Sequence, residues 1–362
     1  MRPLRVATGQ GSMSPAIGGP KRMEEPLSRI TRLAMAVLGS MLAATAAFAQ
    51  GAEIRLSRTT TMAYLPLFVV EHEKLLQKHA AAMGIPDLKV TVLNFTGPSA
   101  QIDALLSGNV DIVATGATSM ITLWARTKGT PLEVKGLSAM SSMPMGLNTR
   151  NPNVKSIADL TDADRIAVPS VKVSFNAMLL QMAAAKQWGM QNFAKLDHLT
   201  VGLGQMDAVA AMMSPRHEVN SDFATPPFLY IERELPNVRT VITLKDILGE
   251  KGTIGTTSTS SRFFKAQPKL VAAYRAAISE AMEIIANDKP RAVDGYIAAT
   301  GDRKTDREML IRIISDPDAE FTATPRSMKA YADFMRETGS IKIKPDSWKD
   351  MFFEGIEQLP GS

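Results

Sequence analysis

Small hydroxyl residues and glycines recur where short β-like runs pass into helical patterns, and they are the residues best placed to do chemistry. Five such segments occur along the chain: Thr59–Thr61, Thr96–Ser99, Thr115–Ser119, Ser170–Ser174 and Thr225. The first turn of a helix has free N–H groups and a partial positive charge, so small residues there can surround an anion. A single Ser or Thr is also an ordinary helix cap, but five segments together favour a ligand site.

Motifs for covalent catalysis, nucleotide binding or metal binding are weak in this sequence. Gly202 and Gly204 begin like a dinucleotide fingerprint, but Asp207 occupies the place of the third glycine. His72 and His79 lie on one predicted helix, where a solvated face explains them better than a metal site. Three acids that follow or enter strands are possible pocket acids, although nothing pairs them: Asp111, Asp207 and Asp222. The sequence therefore predicts no catalytic residue, no metal and no cofactor.

Composition excludes several other classes of protein. The chain has 362 residues, 45% of them hydrophobic, and no cysteine, which excludes a disulfide scaffold, a thiolate metal site and a cysteine nucleophile. This length favours two domains, and the apolar fraction excludes disorder. The net charge of +5 lies mostly in the first 49 residues, which hold six basic and two acidic groups. Because the other basic residues are scattered and only 6% of the chain is aromatic, we expect no nucleic-acid binding.

The N-terminal segment has the layout of a secretory signal peptide. Arg29 and Arg32 precede an uncharged apolar run from Leu33 to Ala49, which ends in the small–x–small sequence Ala47-Phe48-Ala49. The alternative is a membrane anchor, but 17 alanine-rich residues (33–49) are marginal for a bilayer core of about 30 Å. We therefore predict that residues 1–49 are a cleaved signal peptide, with Met1, Met13 or Met23 as the start. No cysteine follows, so a lipoprotein is not expected.

The elements that position the polar segments alternate between strands and helices. Glycine and polar turns separate a first series of predicted elements: strand Ile54–Ser57, helix Leu65–Lys78, strand Lys89–Asn94, helix Ala100–Ser107, strand Val110–Thr115 and a helix through Ala125. Strand, helix and strand within about 30 residues form a βαβ unit with parallel strands. In an open α/β sheet, ligands bind outside the carboxyl ends of the strands, which is where the polar segments lie.

The pattern repeats and then becomes helical. Ser156 to Asp159 has capping-box spacing. The predicted elements that follow are strand Arg165–Val168, helix Phe175–Trp188, strand Leu199–Val201, helix Asp207–Met213, a segment Ser221–Ala224 and strand Arg239–Thr243. Five helices are predicted after Gly255: Lys269–Asn287, Arg291–Thr300, Asp306–Ile314, Arg326–Thr338 and Ser347–Gln358. The layout is two α/β lobes and a helical tail.

Several motifs in this order resemble one known family. Pro66–Leu75 is similar to that family's P-L-x-V-A-x-E-x-G-L segment, and Ala104–Ile112 to its A-L-x-S-G-x-x-D segment. Val154–Leu160 is similar to the entry to its second lobe, and Gln267-Pro268 to its H-P-E helix start. The chain thus resembles the periplasmic substrate-binding proteins of ABC importers, in the nitrate/sulfonate/taurine (NMT1-like) group, over residues 52–345. Asp162–Asp164 and Lys172–Ser174 depart from the usual pattern.

This resemblance implies a two-lobed α/β fold of the type II periplasmic binding proteins, with a ligand cleft between the lobes and a helical C-terminal segment. The domains it implies after the signal peptide are lobe I (residues 50–142), lobe II (143–252) and a return to lobe I with the C-terminal helices (253–362). The function it implies is that of a monomeric periplasmic receptor, which closes on a sulfonate-, taurine- or nitrate-like molecule and delivers it to an ABC permease at the inner membrane.

The resemblance also implies which residues contact the ligand. From lobe I these are Thr60, Met62, Tyr64, Gly97, Pro98, Ser99, Gly116, Ala117, Thr118 and Ser119; from lobe II they are Ser170, Val173, Ser174, Phe175, Asp222 and Thr225. Lys172 is the nearest candidate countercharge, and Asp222 is the candidate partner for an amine of a zwitterionic ligand. Two alternatives stay open on the same fold: an exported enzyme that uses Asp111 or Asp222, and the ligand-sensing ectodomain of a signalling system.

Overall fold

Residues 52–95, 97–301 and 306–362 are described by the structure, a computed structural model. The expected signal peptide (1–49), its three candidate start residues and Thr96 of the second polar segment lie outside the described residues. None of the helices within the described ranges combines the length and the apolar composition that a membrane crossing needs.

The first sheet of the described chain has five strands in the order β2-β1-β3-β10-β4. The strands are β1 (Glu53–Arg58), β2 (Lys89–Asn94), β3 (Ile112–Gly116), β4 (Val134–Ser141) and β10 (Gly255–Ser260). Strand β1 pairs in parallel with β2 and β3, whereas β10 runs antiparallel between β3 and β4. The predicted βαβ arrangement is therefore present, and a late strand completes the same sheet.

The second sheet repeats this plan in the order β7-β6-β8-β5-β9. Its strands are β5 (Gly146–Thr149), β6 (Ile166–Val168), β7 (Thr200–Gly202), β8 (Ser221–Ala224) and β9 (Arg239–Thr243). Strand β6 is parallel to β7 and β8, and β5 is antiparallel to β8 and β9. The chain passes from β4 to β5 through residues 142–145, the first crossing, and from the second sheet to β10 through residues 249–254, the second crossing. The exact lobe boundaries remain a prediction.

Thirteen α-helices of the described residues cover and connect these sheets. They are α1 (Leu65–His72), α2 (Leu75–Ala82), α3 (Pro98–Leu106), α4 (Ala117–Thr127), α5 (Phe175–Trp188), α6 (Gln205–Met213), α7 (Phe228–Arg233), α8 (Leu244–Leu248), α9 (Ser261–Ala266), α10 (Pro268–Asn287), α11 (Lys289–Thr300), α12 (Arg307–Ile314) and α13 (Met328–Glu337). The capping box predicted at Ser156 is present, because Asp159 accepts the Ser156 amide while the Ser156 hydroxyl accepts the Ala158 amide.

Two helix predictions are wrong. The single helix expected over 65–78 is two helices, α1 and α2, because Lys74 adopts a left-handed conformation (φ 53°) that no α-helix accommodates. The helix expected over 347–358 is only a 3-10 turn, Trp348–Met351. The residues after it pair with the first sheet instead, where the Phe353 amide donates to the Gly136 carbonyl at 2.9 Å.

Three strands, β4, β5 and β10, were not recognised as strands in the sequence. Strand β10 has the sequence GTTSTS, and Thr256, Thr257, Ser258 and Thr259 are all completely buried. A strand with buried hydroxyl residues on both faces has no apolar alternation, so hydrophobic periodicity gives no signal for it. This strand supplies the antiparallel link between β3 and β4, and its first residue, Gly255, pairs with Gly116 at the carboxyl end of β3.

Candidate functional site

The polar segments begin at one edge of each sheet, where the parallel strands end. In the first sheet β1, β2 and β3 end at this edge, and the start of β10, Gly255, pairs there with Gly116. In the second sheet β6, β7 and β8 end at the corresponding edge, and Gly146 at the start of β5 pairs there with Ala224. Each segment that follows one of these strands therefore begins at a carboxyl edge.

The two carboxyl edges face each other where α4 and α5 begin. A Cβ atom placed on Gly116 would lie 3.8 Å from the Cβ of Phe175, the first residue of α5. The Phe175 ring in turn packs edge-to-face on Tyr331 of α13, with ring centroids 5.2 Å apart. The amide of Ala117 donates to the Ile254 carbonyl at 3.2 Å, which holds the start of α4 against the second crossing of the chain. Residues far apart in the sequence thus meet between the sheets.

The start of α4 has unused hydrogen-bonding capacity. Its N-cap is Gly116, which offers no side-chain oxygen, and its first turn contains no acidic residue. Thr118, in that first turn, is 4% exposed, and its Oγ1 has no hydrogen-bond partner among the described residues. A buried hydroxyl without a partner is unfavourable in the empty protein, whereas a bound polar group would satisfy it. The helix start therefore has the features of an anion-binding position.

The other helix starts at the two edges differ in how far they are capped. Helix α3 follows Gly97 and also lacks both a capping side chain and an acidic first turn. Helix α5 is capped by Ser174, whose Oγ accepts the Ala177 amide at 3.2 Å. Helix α6 follows Gly204 without a capping side chain, but Asp207 in its first turn offsets the positive end of the helix. Among these four helix starts, those of α3 and α4 have neither a capping side chain nor an acidic residue to offset their partial positive charge.

Gln205 is a polar residue of the second edge that the sequence analysis missed. Its Oε1 accepts the amide of Thr225 at 3.0 Å and the hydroxyl of Thr225 at 2.7 Å. Its Nε2 is buried and has no partner within the described part of the chain. Its position directly after the Gly202-Leu203-Gly204 turn was a possible signal, because that turn places it at a helix start. Gln205 joins the segments after β7 and β8.

The remaining predicted residues differ widely in exposure. Thr60, Ser99 and Ser170 are exposed, whereas Met62 and Tyr64 are buried in a 3-10 turn. Burial raises the pKa of the Tyr64 hydroxyl, so it stays neutral. Seven further predicted residues are buried or half-buried: Gly97, Pro98, Ala117, Ser119, Ser174, Phe175 and Thr225. Val173 is 72% exposed and, with Lys172 in a left-handed conformation (φ 64°), forms the outer part of the loop before α5.

Two of the three acids suggested as pocket residues, Asp111 and Asp222, lie against other side chains of the protein. Asp111 binds the Arg55 side chain through both oxygens, at 2.8 and 3.1 Å. Asp222 is completely buried beside Glu232 of α7, and both carboxyl groups are 0% exposed. Burial and the neighbouring Glu232 raise the pKa of Asp222 well above its usual range. The contact of Asp222 with a ligand amine stays a prediction.

Positive charge at the edges is scarce. Arg58 ends β1, but its guanidinium lies 4.0 Å from the ring centroid of Phe68 and binds Glu71, both in α1. Burial lowers the pKa of Arg58, although Glu71 opposes this shift. No group of three or more His, Asp or Glu side chains suited to a metal ion occurs within the described ranges. Because the Nε and Nη1 of Arg58 are buried without a hydrogen-bond partner among the described residues, Arg58 is a donor at this edge besides the helix starts and hydroxyl groups.

Comparison with known proteins places this geometry in a structural class. No protein-family model and no curated protein matches the sequence. Solved structures do match: an alkanesulfonate-binding protein of Xanthomonas axonopodis pv. citri bound to MOPS has a TM-score of 0.63 and 15% identity, over 87% of this chain and all of that one.

Two further structures agree with it. The periplasmic aliphatic sulphonate-binding protein of Escherichia coli has a TM-score of 0.65 and 16% identity, over 85% of this chain and 99% of that one. The periplasmic nitrate-binding protein of Synechocystis PCC 6803 has a TM-score of 0.61 and 16% identity, over 86% of each chain. The chain therefore has the two-lobed α/β fold of the periplasmic binding proteins, as the sequence predicted.

Proposed function

We propose that this protein is the extracytoplasmic solute receptor of an ABC importer and binds a small organic anion between its two sheets. The observation that carries the proposal is the meeting of two helix starts, at Gly116 and Phe175, beside the unpartnered hydroxyl of Thr118. The fold shared with sulfonate-binding and nitrate-binding proteins supports the same role. We infer that the residues expected from the sequence line this cleft, with Gln205 added and Asp222 removed.

The polar end of the ligand would bind at the start of α4. The amides of the first turn and the hydroxyls of Thr118 and Ser119 are donors, and an oxyanion such as a sulfonate or carboxylate is the acceptor that they match best. The segment before α5 would then close over the carbon skeleton through Val173 and Phe175. Because Asp222 is buried against Glu232, a purely anionic ligand fits this cleft better than a zwitterion.

Hinge closure would couple binding to delivery. The lobes would be residues 50–142 with 253–362 and residues 143–252, joined by the two crossings of the chain. A ligand that contacts both lobes stabilises the closed arrangement by the difference between its binding free energies for the closed and the open arrangement. A permease can then distinguish loaded from empty receptor. Export through a cleaved signal peptide would place the protein outside the cytoplasmic membrane, where this partner is accessible.

The test is a ligand panel measured on matched variants. Purified protein is titrated calorimetrically with alkanesulfonates, taurine, nitrate and small carboxylates, and the best ligand is measured again on Thr118→Val and on Thr122→Val. A hydrogen bond to a charged group is worth about 1.5–3 kcal/mol, so Thr118→Val should weaken binding at least about 10-fold. Thr122 lies one turn further along α4, so Thr122→Val should bind almost normally.

Two results would contradict this proposal. One is the absence of binding by every compound of the panel to folded protein that carries no copurified ligand. The other is an equal loss of affinity in Thr118→Val and Thr122→Val, because that would reveal a general effect on α4 rather than a contact. The stability of Thr118→Val supplies a further control: removal of an unpartnered buried hydroxyl should not destabilise the empty protein.

A further inference from the structure

A cavity of about 120 Å³ lies beside the two crossings, and it shares no residue with the predicted ligand site. Its lining includes Ser142 of the first crossing and Lys251 of the second crossing. The other lining residues that matter here are Arg233 at the end of α7, Lys245 in α8, and Asp316 and Asp318 after α12. This volume is several times the roughly 10–15 Å³ that one water molecule needs. A polyatomic group can therefore be accommodated.

Both acids of this cavity already have partners. Asp316 Oδ2 accepts the Tyr230 hydroxyl at 2.5 Å, and its Oδ1 accepts the amide of Asp318 at 2.8 Å. The Oδ1 of Asp318 binds the Nζ of Lys245 at 2.8 Å, and this contact raises the pKa of Lys245. The charge of Asp318 is thus paired with Lys245, whereas Asp316 accepts hydrogen bonds from the neutral Tyr230 hydroxyl and from a backbone amide.

By contrast, Arg233 and Lys251 have hydrogen-bond donors without a partner among the described residues. Arg233 donates from Nε to the Thr240 hydroxyl at 2.7 Å, and its guanidinium lies 5.3 Å from the ring centroid of Tyr230. Its terminal Nη groups and the Nζ of Lys251 make no hydrogen bond or ion pair with any other residue that the structure describes. Because Lys245, Arg233 and Lys251 outnumber Asp316 and Asp318, the lining has a net charge of +1. Its free donors suit a tetrahedral or planar oxyanion.

We propose that this cavity binds a small oxyanion, of the size of phosphate or sulfate, between Arg233 and Lys251. Arg233 ends α7, which packs on the second sheet, whereas Lys251 belongs to the second crossing and Ser142 to the first. The anion would therefore bind where both crossings and the second sheet meet. This site is separate from the helix starts at Gly116 and Phe175 and does not depend on the function proposed for them.

The test separates the cavity from the cleft by calorimetric titration of the full chain with inorganic phosphate and with sulfate in a chloride buffer of constant ionic strength. We expect binding to persist in Thr118→Val, to weaken at least threefold in Lys251→Gln, and to weaken at least 10-fold in Arg233→Gln/Lys251→Gln. The matched control is Arg336→Gln/Lys342→Gln, which removes two exposed cations outside the cavity and should bind like the parent.

Three results would overturn the proposal. The first is a failure of both phosphate and sulfate to bind to folded protein, which would mean that the cavity holds only water. Binding lost in Thr118→Val and retained in Arg233→Gln/Lys251→Gln would assign the anion to the cleft. An equal loss of anion affinity in Arg233→Gln/Lys251→Gln and in Arg336→Gln/Lys342→Gln would show that the effect comes from the net charge of the protein. Lys251→Gln alone keeps the test informative if loss of Arg233 from the Tyr230 ring disturbs folding.

Discussion

The buried acid pair in the second sheet should make the protein less stable as pH rises. Asp222 of β8 and Glu232 of α7 are both 0% exposed, and the side-chain amide of Asn148 donates to Glu232 at 2.9 Å. Neither Asp222 oxygen finds a donor unless one carboxyl group carries a proton. Burial raises the pKa of Glu232 to about 7, although hydrogen bonds from Asp222 and Asn148 oppose it. The folded protein therefore holds a proton that the unfolded chain releases.

The sign and size of the effect follow from linkage. For an acid whose pKa is raised on folding, the stabilisation by the bound proton is present at low pH and is lost as pH rises from the unfolded to the folded pKa. For Glu232 this window runs from the usual value of 4.5 to about 7. At about 1.4 kcal/mol per pH unit, the loss across this window is about 3 kcal/mol. The pKa of Asp222 is also raised, so Asp222 likewise makes the folded protein less stable as pH rises.

The variant that tests this pair is Glu232→Gln. A glutamine can still accept from Asn148 and can donate to Asp222, so the packing is kept while the titration of Glu232 is removed. We expect Glu232→Gln to be more stable than the parent by about 3 kcal/mol at pH 7.5 and nearly equal at pH 4.5. The assay is urea unfolding at several pH values. The matched control is Glu234→Gln, an exposed residue paired with Arg312, which should keep the parental slope.

A parallel loss of stability in Glu232→Gln at every pH would refute this reasoning. It would mean that the carboxyl group stabilises the fold as an ion, and that the pair holds no extra proton. An unchanged slope in the variant would also contradict it, because the titrating group would then lie elsewhere.

Further predictions concern backbone positions and the contact between the sheets. Gly252→Ala should destabilise the protein by about 2 kcal/mol or more in urea unfolding, because its Cβ would lie 2.0 Å from the Tyr331 hydroxyl and 2.5 Å from Leu248 Cδ1. Adding Tyr331→Phe to Gly252→Ala should recover part of that loss. Gly116→Ala, whose Cβ would have no contact closer than 3.6 Å, should destabilise the protein by under about 1 kcal/mol. An equal loss of stability in Gly252→Ala and Gly116→Ala would contradict the steric argument. Lys74→Gly should raise the thermal midpoint by a few degrees, because glycine removes the penalty of about 1 kcal/mol at φ 53°; a lowered midpoint would oppose this account.

Local sequence patterns predicted those parts of the fold that depend on short-range physics. Strands β2 and β9 and helix α5 have the predicted bounds, because strand propensity, helical periodicity and the terminating Gly189 agree there. The left-handed Lys74 has no such signature, since lysine is an ordinary helix residue. The buried hydroxyl strand β10 was missed because tertiary contacts, and not an apolar pattern, place it in the sheet.

The candidate site was predictable only in part for a similar reason. Segments that follow strands could be named from their glycine and hydroxyl residues, and Gly116 and Thr118 lie where such segments meet. The role of Tyr331 could not be foreseen, because it lies more than 150 residues from Phe175, the ring that it contacts. The neighbour of Asp222 could not be predicted, because a strand pattern does not show which side chain lies opposite, and Glu232 of the next helix lies beside it.

The most direct test of the central proposal is to identify what the protein carries when it is purified. Native mass spectrometry would compare the mass of the folded protein with that of the denatured chain and then identify any released compound. We expect one small molecule with an acidic group per chain, lost in Thr118→Val and retained in Thr122→Val. A released compound without an anionic group, or one retained equally by both variants, would contradict the proposed binding at the start of α4.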